Sequence, residues 1–99
     1  MALASIRSDA RRLLSAREPF RSHGALRAHD FPLSGTGRMP AEWVAAYRCD
    51  RDDPGISYVV YSYATPIAWV RTDGVSVVPD VGYSATTTRH QNLCRTWID

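Results

Sequence analysis

Apolar and polar positions follow three rhythms along the chain. From Leu3, apolar residues recur at Ile6, Ala10, Leu13 and Leu14, and on a helix these fall within an arc of about 100°. The spacing predicts an amphipathic helix over residues 1–18, with Arg7 and Arg11 flanking the apolar arc and Arg12 facing away from it. Pro19 ends that helix, because the residue before a proline is pushed out of helical geometry. Residues 20–40 hold three glycines and two prolines with no sustained period. Residues 19–55 therefore read as loop-rich, with room for one short strand. Within them, PAEWVAAYR predicts a short helix near 40–48 that opens on Pro40 and sets Trp43, Val44 and Tyr47 along one side.

The rhythm then changes to that of a sheet. ISYVVYSY, Ile56 to Tyr63, is almost wholly β-branched or aromatic and predicts a strand. TPIAWV resumes at Pro66, which belongs at a strand start or an edge because it has no N–H to donate. Asp73-Gly74 then predicts a tight hairpin joining IAWVR to VSVVP. The fold class is α+β: a three-stranded antiparallel meander packed against N-terminal and C-terminal helices, in one domain over 1–99. Both faces of such a sheet are apolar and need covering, and the two longer helices are the available covers.

The third rhythm closes the chain. In TTTRHQNLCRTWID, Thr88 is followed three residues later by Gln91, the spacing of a capping box. With Arg89 as the first helical residue, Leu93, Trp97, His90, Cys94 and Ile98 fall between about 40° and 180° on the wheel. His90 and Trp97 are therefore expected in the core. Thr88→Ala is expected to cost about 1 kcal/mol.

Composition narrows the class of protein. The 99 residues are 44% hydrophobic, with three tryptophans, enough for a core. No apolar run approaches the ~18–20 residues of a membrane span, and arginines interrupt the stretch where a signal peptide is apolar. A cytoplasmic location is expected. All twelve basic residues are arginine and the formal charge is +2, a balance too small to demand a polyanionic partner. Six arginines lie within residues 1–30, so a binding face including Arg7, Arg11 and Arg12 is the expectation there.

Candidate chemistries are weak. His90 and Cys94 form an i, i+4 pair that Cys49, His23 or His29 would have to complete as a zinc site. The ligands are scattered singly, so a buried, hydrogen-bonded histidine is preferred and no metal or cofactor is expected. A threonine beside His90 offers a nucleophile and base, but one held in a capping box is committed to the backbone. No Gly-x-Ser-x-Gly elbow is present. SGTGR lacks the lysine of a phosphate loop. DRDDPG has Pro54 at the fifth position of a calcium loop and Tyr61 where its closing glutamate belongs. Tyr61 and Tyr63 resemble base-stacking sheet residues, yet no arginines cluster among them in sequence, so both are expected beneath a helix.

YVVYSYATPIAW and VVPDVGYSATTTRHQ together resemble a family of small domains of phages and prophages, actinobacterial phages included. The pattern is Tyr-Ser-Tyr-x-Thr-Pro-Ile-Ala at Tyr61 to Ala68, then Tyr-Ser-x-Thr-Thr-x-x-His-Gln at Tyr83 to Gln91, and the likeness spans about residues 58–92. No activity travels with the resemblance. It implies a phage product in a bacterial cytoplasm, and small phage proteins often act by redirecting a host protein. The expected function is thus non-enzymatic binding of a host bacterial protein. The alternative is nucleic-acid binding through the arginine-rich first helix. A homodimer formed through an exposed sheet edge is a further expectation.

Overall fold

The computed structural model describes residues 2–4, 9–22 and 25–98. In chain order it contains β1 (Ala2–Ala4), α1 (Asp9–Ala16), β2 (Phe20–Ser22), β3 (Leu26–His29), α2 (Ala41–Asp52), β4 (Ile56–Ser62), β5 (Thr65–Arg71), β6 (Ser76–Val77) and α3 (Ala85–Trp97). The strands form one sheet in the order β1-β2-β3-β4-β5-β6. From β2 to β6 every pairing is antiparallel, and β1 adds parallel to β2. The α+β class and the β4–β5–β6 meander agree with the sequence reading. The antiparallel part has five strands, however, not three.

The extra strands come from the segments read as a long helix and a loop. Residues 2–4 pair with Phe20–Ser22, and the first helix begins only at Asp9. Strand pairing gives the backbone of 2–4 the hydrogen bonds that a fraying helical turn would leave open. Two strands of three and four residues are too short for their alternation to stand out, but the alternation is present. Phe20, Leu26 and Ala28 are buried on one face, and Arg21 pairs with Arg27 on the other.

Covering the sheet takes all three helices. The α1 and α3 side buries Leu13, Leu14, Phe20, Leu26, Tyr58, Val60, Ile67, Val70, Cys94 and Ile98. The α2 side buries Met39, Tyr47, Ile56, Val59, Tyr61 and Trp69, with Trp43 and Val44 packed beside them. The predicted short helix thus presents the expected side and runs longer, to Asp52. It covers the second face, while the terminal helices share the first. No helix among the described residues is long and apolar enough to cross a membrane.

Three local devices fix the frame. Leu33 N–H meets Tyr61 Oη at 2.9 Å, Tyr61 Oη meets Tyr47 Oη at 3.0 Å, and Tyr47 Oη donates to the Leu33 carbonyl at 3.0 Å. This closed ring ties the loop before α2 to β4, and burial raises the Tyr47 pKa well above its ordinary value. In β4–β5 the register slips between Val60 and Tyr61. Ile67 and Ala68 therefore face the same core, and the N–H-less Pro66 sits at the irregularity. Finally α1 ends at Arg17 in left-handed geometry (φ 53°), with Glu18 N–H donating to the Leu13 carbonyl at 2.9 Å. Ser15 and Arg17 side chains then donate to the carbonyls of Trp97 and Ile98, satisfying orphan groups at the end of α3.

The start of α3 differs from the sequence reading. Its N-cap is Ser84, whose Oγ accepts from Thr87 N–H at 3.2 Å. Thr88 lies inside the first turn, exposed, with its hydroxyl bonded back to the Ser84 carbonyl. Gln91 is buried and donates to the Val81 carbonyl at 3.0 Å, tying down the connector from β6 instead of closing a capping box. His90, Cys94 and Ile98 are buried as expected, but Trp97, at the last position of α3, stands at the surface, 37% exposed. Ser84→Ala is therefore expected to lower stability by about 1 kcal/mol. Thr88→Ala should stay within about 0.5 kcal/mol. Urea denaturation of both variants checks the order, and a larger loss at Thr88 would refute the assignment.

Candidate binding pocket

Ser62 is the last residue of β4, and it is a polar residue on a face otherwise devoted to the α1–α3 core. It is 1% exposed, so its hydroxyl must find partners inside the protein. The first turns of α3 supply them. Ser62 Oγ lies 2.7 Å from His90 Nδ1 and 3.1 Å from Thr87 Oγ1, and Ser84 Oγ donates to Thr87 Oγ1 at 3.1 Å. One assignment satisfies the series: Ser84 donates to Thr87, Thr87 to Ser62, and Ser62 to a neutral His90 accepting at Nδ1. Burial lowers the His90 pKa, in keeping with the neutral form. Among the described residues no carboxylate hydrogen-bonds this imidazole.

The outer end of this series opens into a pocket of about 370 Å³ lined by Arg38, Ser62, Tyr63, Thr65, Tyr83, Ser84 and Thr87. Two backbone features shape its rim. A two-residue turn, Tyr63-Ala64, joins β4 to β5. Such turns need positive φ at their first position, and Tyr63 supplies it at φ 57°, a strained geometry for a bulky side chain. Its ring stands 60% exposed, contrary to the expectation that it packs beneath a helix, whereas Tyr61 is buried as expected. On the other side Gly37 (φ 54°) presses against the turn, where a Cβ would meet Thr65 Oγ1 and come within 2.6 Å of the Ala64 carbonyl oxygen. The next residue, Arg38, donates its N–H to Thr65 Oγ1 at 2.9 Å. Tyr83 Oη is buried beside the pocket and has no hydrogen-bond partner among the described residues.

These contacts bring 61–68 and 83–91, the two stretches of the resemblance, together at one site. A family model described as a family of unknown function, DUF8033, matches residues 27–96. The chain belongs to this family. The DUF8033 match takes in every residue lining the pocket, together with His90, while β1, α1 and β2 fall outside it. No curated protein and no solved structure matches the chain.

The remaining candidates are dispersed. Arg7 and His23 lie outside the described residues. Arg11 and Arg12 are exposed, and the Arg11 guanidinium sits 5.8 Å from the centre of the Trp97 ring, joining α1 to α3. Both lie outside the pocket. Cys49 is exposed on α2 and Cys94 is buried under α3, on opposite sides of the sheet, and no group of three or more metal-ligating residues assembles among those described. Burial pushes the Cys94 thiol up to about 12, so it is unreactive. The sequence reading missed Ser62, Ser84 and Arg38, placed Tyr63 beneath a helix, and weighed a threonine beside His90 only as a nucleophile. A lone serine on the inward face of an apolar strand was the available signal for Ser62.

The histidine gives a pH test. Its pKa lies below the ordinary 6.5 in the folded protein, so in the window beneath 6.5 the unfolded chain binds the extra proton and stability falls as pH falls. His29, also lowered, chiefly by desolvation, acts in the same direction. The urea midpoint should drop between about pH 7 and pH 5, and less steeply in His90→Gln. An unchanged slope in that variant refutes the buried neutral assignment.

Proposed function

We propose that this DUF8033 domain is a non-enzymatic binding protein, and that the pocket between the β4–β5 turn and the start of α3 receives a polar or acidic segment of a partner protein. The observation that carries this reading is the composition of the pocket. It combines Arg38, the Thr65 hydroxyl, an orphan phenol and an exposed aromatic rim, with no acid among its lining residues. Such a lining suits a carboxylate or amide held by donors beside an apolar contact. The strained Tyr63 turn belongs to the same reading, since strain of this kind concentrates at functional sites.

The resemblance to phage and prophage domains supports a bacteriophage protein acting in a bacterial cytoplasm, with a host protein as partner. A nucleic-acid role for the first helix has less support, because Arg11 is engaged with Trp97. Edge-to-edge homodimerisation is likewise weakened. The two edge strands have three and two residues, and short edges discourage pairing.

One observation favours a second reading. Ser62 and His90 stand at the distance of a nucleophile and its base, as in acyl transfer. Against catalysis, Ser62 Oγ is buried and shared with Thr87. A fluorophosphonate probe separates the two. The proposal expects no labelling of Ser62, and labelling that Ser62→Ala abolishes would establish the enzyme instead.

The binding reading is tested with Arg38→Ala and Tyr63→Asn. Asparagine accepts left-handed geometry more readily than tyrosine, so Tyr63→Asn should leave stability equal or higher. In a moderate-salt pull-down from host lysate, one discrete protein retained by the wild type should be lost from both variants. Retention by both would remove the pocket from the interface.

A further inference from the structure

Beyond the edge of α2, no described helix covers the α2 face of the sheet at β2 and β3. The residues pointing there are Arg21, paired directly with Arg27, and then His29, two residues further along β3. Phe31 follows, 53% exposed, with its ring centre 5.5 Å from that of His29. The Arg27 guanidinium lies 5.5 Å from the centre of the Tyr61 ring, and His29 packs edge-on to the same ring at 5.7 Å. Arginine, imidazole and phenyl planes thus form one row across the sheet surface. From Arg27 to His29 the row runs about 7 Å at strand spacing.

Three buried polar atoms of this row lack partners. Arg27 Nε and both ring nitrogens of His29 are buried and make no hydrogen bond among the described residues, a condition that protein surfaces seldom leave unmet. The accessible groups of this surface are cationic and aromatic, Arg21 and Phe31 being exposed, so a ligand answering it has to offer negative charge and flat rings together. An aliphatic peptide would leave the guanidinium charges unmet, and an acidic peptide would leave the exposed Phe31 ring unused. Asp30 opposes the positive field at His29, but Arg27 outweighs it there.

We infer that the β2–β3 face is a binding surface for single-stranded nucleic acid, with a base stacking on the exposed Phe31 ring, which His29 backs, and phosphates meeting Arg21 and Arg27. Stacking on exposed rings beside cations is sequence-tolerant, so the surface selects unpaired strands over a particular sequence. It is separate from the β4–β5 pocket and does not depend on the function proposed for that pocket.

Fluorescence anisotropy of the whole protein with labelled oligothymidine and oligouridine tests this, with a duplex and polyglutamate as comparison ligands. Two phosphate contacts at about 0.7 each predict a slope of log K against log salt near −1.4 for a single strand. Arg21→Gln should reduce that slope by about 0.7. Phe31→Ala should weaken binding at least about fivefold, and Arg38→Ala should leave it unchanged. Arg21 and Phe31 are exposed, and circular dichroism checks that both variants fold. The inference is overturned by single-strand affinity weaker than about 0.1 mM at low salt, or by binding that both variants leave intact. Preference for the duplex, or polyglutamate competing as well as oligothymidine, overturns it too.

Discussion

Burial of both faces of β4 and β5 is the constraint on which the rest of this fold depends. Tyr58, Val60, Ile67 and Val70 enter one core, and Val59, Tyr61 and Trp69 enter the other. A hairpin of this kind has no stable form in water alone. Each fully buried large side chain contributes about 1.5–3 kcal/mol only if a cover excludes solvent from it. Helices α1 and α3 cover one face and α2 the other, while β1 to β3 widen the sheet enough to receive the terminal pair.

The polar site follows from that same constraint. A strand buried on both faces still has to end, and β4 ends on Ser62 before a two-residue turn. An unsatisfied hydroxyl there would cost about 1–3 kcal/mol, and Thr87 and His90 remove that cost. The start of α3 is thereby fixed against the turn by hydrogen bonds as well as by packing. The closed ring of Leu33, Tyr61 and Tyr47 performs the equivalent task on the other face, holding the loop that carries Gly37 and Arg38. The pocket is the space left where these two polar fastenings approach the same turn. Its shape is thus coupled to the stability of the hairpin, and the strain at Tyr63 persists because the surrounding elements over-determine it.

The two surfaces described have different chemistry because they arise differently. The pocket is concave and rich in hydroxyls, because a helix start and a hairpin turn both concentrate small polar residues. The β2–β3 face is flat, aromatic and cationic, because it is the part of an outward-facing sheet surface that α2 does not reach. Trp69 and Arg71 are engaged by Asp50 of α2, which keeps that helix over β4 and β5, and no described helix covers β2 and β3 on that side.

Much of this was legible in the residues. The β-branched and aromatic run of Ile56 to Ser62, the Asp73-Gly74 turn, the apolar side of α2 and the inward direction of His90, Cys94 and Ile98 follow from local periodicity alone. Period and turn chemistry are properties of neighbouring residues, so sequence determines them. What Ser62 meets, why the cap falls on Ser84 and not Thr88, and why residues 2–4 form a strand are not local properties. Each depends on a partner distant in the chain: Ser62 on α3 across more than twenty residues, and residues 2–4 on β2. Several threonines and serines before α3 were locally competent to cap it. The structure places the cap at Ser84 and sets Thr87 and His90 against the buried Ser62 hydroxyl, contacts that join residues distant in the chain and that no local pattern encodes.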